Sequence, residues 1–109
     1  EQTNMATSES YIRFVCDQLH EFPAVRYRKM FGEYMVYVND KPVLLVCDNT
    51  VFVKKLADIA AFMQNAKCGF PYDGAKEHYV LDIENADLLL HLIPVLEAAT
   101  PVPKPKKKK

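Results

Sequence analysis

The chain has 109 residues, half of them apolar, and its fourteen basic and fourteen acidic side chains give a formal net charge of zero. A chain of this length fits one domain, which buries roughly two-thirds of its unfolded surface without a metal or disulfide staple. The three cysteines form no CxxC pair, so their spacing indicates neither a disulfide framework nor a zinc site. This cysteine usage, with no long apolar run and no secretory signal pattern, predicts a cytoplasmic protein.

The zero net charge hides a basic C-terminus. Five of the fourteen basic residues are Lys104, Lys106, Lys107, Lys108 and Lys109, which leaves nine basic and fourteen acidic residues, a charge near −5, elsewhere. Prolines favour an extended chain and like charges repel, so we predict a disordered tail over residues 100–109 after a single domain over residues 5–99. The tail suits weak, non-specific contact with nucleic acid or an acidic protein, although a solubilising role is the simpler interpretation.

The first predicted helix follows Thr7 and Ser8, either of which can cap its N-terminus. Its apolar residues recur at helical spacing and form one core-facing stripe, which consists of Tyr11, Ile12, Val15, Cys16 and Leu19. Pro23 is expected to end the helix, because proline cannot donate a backbone hydrogen bond. Cys16 is interpreted as a buried small hydrophobe rather than as a reactive thiol.

A meander of four antiparallel strands is predicted next, because short apolar runs alternate with turn residues. The predicted strands cover residues 25–30, 34–38, 43–47 and 51–54, with turns at Asn39-Asp40 and Asp48-Asn49-Thr50. The two middle strands are nearly continuous apolar runs, so both faces of their hairpin require cover. The helices most simply cover one face, and a symmetric partner on the other face predicts a homodimer.

The remaining elements are a helix, a strand and a helix. Apolar residues from Leu56 to Met63 predict a second helix ending near residues 66–69, and a Pro- and Gly-containing loop follows at residues 70–74. Apolar side chains at every second position, Tyr79, Leu81 and Ile83, predict a fifth strand over residues 78–83. Asn85 can cap the last helix, in which Pro94 predicts a kink or a short break. The fold class is therefore α+β, with a five-stranded antiparallel sheet and the element order α-β-β-β-β-α-β-α.

Motifs for catalysis and cofactor binding are missing from the sequence. It has no nucleophile elbow, phosphate loop, dinucleotide fingerprint or HExxH pair, and its three glycines are isolated. His20, His78 and His91 lie on three different predicted elements, without a ligand partner at metal-binding spacing. We therefore predict no catalytic residues, no metal and no cofactor, and a protein that is not an enzyme.

A basic cluster marks the first predicted strand, where Arg26, Arg28 and Lys29 lie beside Tyr27 and are expected near Tyr34. It is either an anion site or protection of an edge strand against aggregation, and the second interpretation is the simpler one. The residues predicted to bind a partner or ligand are Arg28, Lys29, Met30, Phe31, Tyr34, Tyr37 and Tyr72. Structurally, we expect Phe31 to be buried against the first helix and Gly32 to adopt a turn conformation that an alanine would strain.

Several segments together resemble the TfoX N-terminal domain family of bacterial proteins related to regulators of natural competence. These segments are residues 11–15, 28–37, 45–48, 51–54 and 70–72, followed by Tyr79, and the Met-Phe-Gly-x-Tyr portion is the most specific. The family pattern usually reads Met-Phe-Gly-Gly-Tyr-Gly, and Glu33 and Met35 replace its later glycines here. The resemblance covers about residues 5–99 and implies a two-layer fold like that of secretion chaperones, a fold whose members often dimerise.

The resemblance also implies a regulatory role. Larger competence regulators in the family carry a second, C-terminal domain similar to helix-hairpin-helix modules and act as transcriptional co-activators. The lysine tail occupies that place here, so we expect no specific DNA recognition. Three hypotheses follow: a homodimeric regulatory module that binds another protein, a nucleic-acid accessory protein that uses the basic strand and the tail, and a small-ligand binder or enzyme with a pocket of Met30, Phe31, Tyr34 and Tyr72.

Overall fold

Six antiparallel strands form one open sheet in the computed structural model, which describes residues 7–30 and 33–102. The strands are β1 (Val25–Met30), β2 (Glu33–Val38), β3 (Lys41–Cys47), β4 (Thr50–Lys54), β5 (Cys68–Gly69) and β6 (His78–Val80). Helix α1 (Glu9–Gln18) precedes the sheet, a 3-10 helix (Ala57–Met63) follows β4, and helix α2 (Ala86–Ala99) ends the domain. The spatial order of the strands is β1-β2-β3-β4-β6-β5.

The α+β class and the four-stranded meander are confirmed, whereas the count of five strands is wrong. The additional strand, β5, has only two residues, Cys68 and Gly69, and is too short to produce a periodic signal in the sequence. It pairs with β6 at the edge of the sheet. The strand predicted over residues 78–83 ends at Val80, because Asp82 begins a turn in which its backbone carbonyl accepts from Asn85 N at 3.1 Å.

The two hairpin turns predicted around β3 are confirmed, except that Thr50, predicted to belong to the second turn, begins β4 and pairs with Cys47. Asn39 and Asp40 have φ of 53° and 66°, and Asp48 and Asn49 have φ of 53° and 52°. Two consecutive residues with positive φ give the turn whose twist matches that of paired strands, and Asn and Asp tolerate this conformation better than most residues. A bulge interrupts the β2–β3 register between Val36 and Tyr37.

Both turns also hold a helix in place. Asn49 Oδ1 accepts from the backbone N–H of Ser8 at 3.0 Å, just before α1 begins. Asn39 Nδ2 donates to Glu97 Oε2 at 2.8 Å, and Lys41 Nζ donates to the Glu97 carbonyl at 3.0 Å, near the end of α2. The turns therefore fix the layer of helices relative to the sheet.

The predicted helix caps are confirmed, and the ends of the helices differ from the prediction. Ser8 Oγ accepts from Tyr11 N at 3.2 Å, and Asn85 Oδ1 accepts from Leu88 N at 3.1 Å. Helix α1 ends at Gln18 rather than at Pro23, because the next amides bond to carbonyls three residues back and tighten the chain into turns. Helix α2 passes Pro94 without a break; Pro94 is exposed, so water can reach the adjacent backbone.

The predicted second helix is a 3-10 helix and not an α-helix. It spans Ala57–Met63, and its cap residue Leu56 has no side-chain oxygen to hold the first turn. Only Ile59 and Met63 of this segment are buried, so these two side chains anchor it to the core.

Across residues 7–30 and 33–102, every helix lacks the length or the apolar character that a membrane-spanning helix needs.

The hydrophobic core lies between the helices and one face of the sheet. Its fully buried members come from α1, the central strands, the 3-10 helix and α2, and include Ile12, Val15, Leu19, Val36, Val38, Leu44, Val46, Ile59, Leu92 and Ile93. The β2–β3 register places Val36 opposite Leu44, so their side chains share the face that packs under the helices. This arrangement forms a two-layer domain.

Some predictions concern residues outside the described ranges. These are the burial of Phe31, the turn at Gly32 and the tail lysines Lys104, Lys106, Lys107, Lys108 and Lys109. The domain boundary after residue 99 stays a prediction, although α2 ends at Ala99.

Two leucines of α2 provide a matched test of this core. We expect Leu92→Ala to lower the free energy of unfolding by about 2–5 kcal/mol, because Leu92 is completely buried and its truncation leaves a cavity. Leu90, which is 50% exposed in the same helix, is the control, and Leu90→Ala should change stability by about 0.5 kcal/mol or less. Urea unfolding followed by circular dichroism measures both, and equal effects would contradict this assignment of the buried face.

Candidate functional site

The face of the sheet that points away from the core carries its own row of apolar side chains. The strand registers place Met35 opposite Leu45, Leu45 opposite Phe52, and Phe52 opposite Val80. Side chains alternate between the two faces of a strand, so these four residues lie on the side opposite to Val36, Leu44 and Val53. We call them the apolar ridge, and the face on which they lie the open face.

The apolar ridge crosses β2, β3, β4 and β6, and Arg28 of β1 continues its line opposite Met35. From β1 to β6 there are four strand spacings, so the row is about 19 Å long. Met35, Leu45 and Val80 are half-buried, whereas Phe52 is only 7% exposed. Phe52 belongs to the buried residues but not to the core cluster under the helices. The ridge is therefore a second apolar surface separate from the core.

Neighbouring strands account for the burial of Phe52. The His78 ring lies edge-on to the Phe52 ring, with 6.4 Å between the ring centroids. Gly69 of β5 lies so close that a Cβ at that position would be 3.3 Å from the Phe52 ring. A cavity of about 70 Å³ also opens beside this residue, lined by Met35, Pro42, Val43, Leu44, Leu45, Phe52, Lys54 and His78.

Two rows of more polar side chains lie beside the apolar ridge. On one side, the Arg26 guanidinium lies over the Tyr37 ring, 4.3 Å from its centroid, and 3.4 Å from Asp40 Oδ1. On the other side, Cys47 Sγ donates to Glu33 Oε1 at 2.6 Å. The open face thus has an apolar centre and a polar margin, which is the composition of a protein interface.

Cys47 is unsuited to nucleophilic chemistry. Burial raises the pKa of its thiol strongly, and the hydrogen bond to Glu33 raises this pKa further. The thiolate is the reactive form, so a raised pKa keeps Cys47 protonated and inert near neutral pH. Burial, and secondly the charge of Asp17, also raise the pKa of Cys16, whose side chain is half-buried.

The other polar side chains do not form a metal-binding cluster in the part of the chain that the structure describes. Within residues 7–30 and 33–102, no group of three or more His, Cys, Asp or Glu side chains is placed to hold a metal ion. His20, His78 and His91 each place Nδ1 within 2.9 Å of a nearby backbone carbonyl. The hydrogen bond of Lys55 to Glu77, at 2.8 Å, and a second one to the exposed Cys68 raise the pKa of Lys55.

The residues predicted to bind a partner do not form one site. Arg28, Met30 and Tyr37 lie on the open face, as their strand registers with Met35, Glu33 and Arg26 show. The register places Lys29 on the other face, opposite Tyr34. Phe31 lies outside the described residues.

Tyr34 and Tyr72 are separated from that group. Tyr34 is only 5% exposed within the core, where its ring meets the Tyr27 ring edge-on with 5.4 Å between centroids. Tyr72 is 53% exposed in the loop after β5, the strand at the opposite edge of the sheet from β1. The structure therefore does not bring Met30, Tyr34 and Tyr72 together as the lining of one pocket.

The runs predicted to need cover on both faces include Met35 and Leu45, but sequence reasoning missed Phe52 and Val80 as members of the candidate surface. The signal for Phe52 was present, because it lies in a run whose neighbouring residues are also apolar. Such a run predicts a strand covered on both faces. The pattern could not show that these residues align across four strands, because alignment depends on register.

Comparison with known proteins identifies relatives of the chain. A model of the TfoX N-terminal domain family matches residues 17–88. An uncharacterized 12.7 kDa protein in the trpE 5' region of Spirochaeta aurantia is 43% identical over 107 residues, which cover 96% of this chain and 93% of the relative. No solved structure matches the chain.

The cysteine environments predict an order of thiol labelling. We expect iodoacetamide at pH 8 to alkylate exposed Cys68 at least about tenfold faster than Cys47, because burial and a raised pKa both suppress the Cys47 thiolate. Mass spectrometry of peptides after short exposures gives the two rates. The Cys68→Ser variant is the control, in which the fast phase should disappear, and equal labelling of both residues would contradict the Glu33–Cys47 arrangement.

Proposed function

Because the chain belongs to the TfoX N-terminal domain family, we propose that it is a competence-regulator-like module that acts in the cytoplasm without catalysis, as a homodimer that binds another protein. The open face joins the two copies in this proposal. The observation that carries it is the apolar ridge, which lies on a sheet face that the core does not use. A continuous apolar row of this kind on a soluble domain marks an interaction surface.

The dimensions of the open face suit the centre of a dimer interface. The ridge, its extension to Arg28 and the two flanking rows span about 19 Å across the strands and about 14 Å along them. Stable interfaces bury about 800 Å² of accessible surface on each partner, with an apolar centre and a polar rim. The apolar ridge supplies the centre, and Arg26, Tyr37 and Glu33 belong to the rim.

Charge favours one symmetry for this dimer. If the two-fold axis runs parallel to the strands at Leu45, Arg28 of one protomer faces Val80 of its partner, and Met35 faces Phe52. A methionine sulfur against an aromatic ring is a favourable contact. If the axis ran along the ridge instead, Arg28 would face its own copy, and like charges at an interface oppose association. We therefore propose the axis parallel to the strands.

Light scattering after size exclusion tests the dimer at micromolar concentration. The wild-type mass should be close to twice the chain mass of 12.5 kDa. Leu45→Glu should give a folded monomer, because it places a charge at the centre of the interface. A wild-type mass near 12.5 kDa would refute the dimer.

The matched control is Leu90→Glu on α2. Leu90 is already 50% exposed and lies outside the open face, so this substitution adds the same charge without touching the proposed interface. The control should remain a dimer, and far-ultraviolet circular dichroism should show native structure in both variants. If both variants became monomers, the interface would lie elsewhere.

A further inference from the structure

Strand β1 leaves one edge of the sheet unpaired within the described residues. It pairs with β2 over six consecutive residues, from Val25 opposite Val38 to Met30 opposite Glu33, and it is the first strand in the sheet order. In an antiparallel ladder, every second residue points its backbone N–H and C=O away from the neighbouring strand. The outer side of β1 thus presents hydrogen-bonding groups that another extended chain can use.

The shape of β1 does little to block such pairing. It contains no proline, and its register with β2 has no bulge. The opposite edge of the sheet is different, because β5 has only two residues and Pro71 follows soon after it. Proteins usually blunt edge strands with prolines, bulges or short lengths, or with charged side chains, and β1 has only the charges.

The positive charges on β1 oppose its pairing with a second copy of β1. Arg26 and Arg28 share the open face, and Lys29 lies on the other face; all three side chains are exposed. Two copies of β1 could pair antiparallel with their open faces on the same side, with Tyr27 opposite its own copy. Arg26 would then face Arg28 of the partner twice, and a slip of two residues, which keeps the faces aligned, would place Arg28 opposite itself. Like charges directly opposite each other destabilise strand pairing.

The same charges attract a carboxylate-bearing strand. Tyr27 and Val25 are half-buried and pack against the core cluster, so the helix side of β1 is apolar beside its edge as far as the exposed Lys29. An added strand would place alternate residues next to Arg26 and Arg28 on one face and next to Val25 and Tyr27 on the other. Glutamate or aspartate suits the first set of positions, and apolar residues suit the second.

We propose that the outer edge of β1 binds an extended segment of a partner protein in which acidic and apolar residues alternate, so that this segment becomes a seventh strand. This binding mode rests on the proposed function only in that the module binds another protein. Main-chain hydrogen bonds supply affinity in this mode of recognition, and alternate side chains supply specificity. A nucleic-acid backbone offers no matching row of amides, so it cannot extend the hydrogen-bond ladder of the sheet.

A synthetic peptide tests the edge directly. The probe is a fluorescein-labelled hexapeptide with the sequence Glu-Val-Glu-Val-Glu-Val, and its binding to the full chain is followed by fluorescence anisotropy. We expect saturable binding that weakens as salt rises, because carboxylates face arginines. A peptide with Lys in place of Glu should bind at least about tenfold more weakly, since like charges face each other.

Backbone methylation of the peptide distinguishes strand addition from simple charge attraction. Two further peptides carry N-methyl groups on alternate residues, one on the glutamates and the other on the valines. In a bound strand, either the glutamates or the valines point their backbone N–H groups at β1, and the other residues point theirs away from it. We expect one methylated peptide to lose at least about tenfold in affinity while the other retains most of it, and equal affinities would overturn the proposal.

Variants of the protein locate the binding edge. Arg28→Glu should weaken peptide binding at least about tenfold, and the matched control Lys54→Glu, on β4 away from the edge, should leave it within about twofold. Leu45→Glu should still bind the peptide, so loss of the dimer and loss of the edge site are separate results. Absence of peptide binding, or single-stranded DNA binding lost in Arg28→Glu without any peptide binding, would overturn the proposal.

Discussion

The sheet has two apolar faces and one layer of helices, and this imbalance is the constraint on which the rest of the structure depends. Helices α1 and α2 and the 3-10 helix contribute their buried residues to one core cluster, which includes Val36 and Leu44. The other face retains the apolar ridge with Leu45 at its centre. Apolar side chains on a solvent-facing sheet favour association, because burying them removes apolar area from water.

Polar contacts at the helix ends add to the apolar core between the two layers. Asn49 binds the start of α1, while Asn39 and Lys41 bind the end of α2, so residues in and beside the hairpin turns help to position the helices. These asparagines serve a second purpose, since both occupy turn positions with positive φ. Core packing and these end contacts keep the helices on one side of the sheet, so among residues 7–30 and 33–102 the open face carries strand residues alone.

Two different surfaces meet at β1. In our proposals the open face offers an apolar row to a second copy, and the outer edge of β1 offers backbone groups among exposed cations to an acidic strand. Arg28 belongs to both, because it continues the line of the apolar ridge and lies on the edge strand. In the edge proposal, the positive charge on β1 favours pairing with an acidic strand and opposes pairing with a second copy of β1.

The sequence by itself determined the α+β class, the meander, both hairpin turns and the helix caps. The reason is that apolar runs separated by turn residues, residues that tolerate positive φ, and capping side chains are local signals. It also indicated that the central hairpin is apolar on both faces. Only the tertiary structure decided that Tyr34 belongs to the core while Met35 lies on the open face, that β5 pairs beside β6, and that Leu45 and Phe52 align. The physical reason is register: the face that a strand residue occupies, and the residues beside it, depend on hydrogen bonds to strands that are distant in sequence.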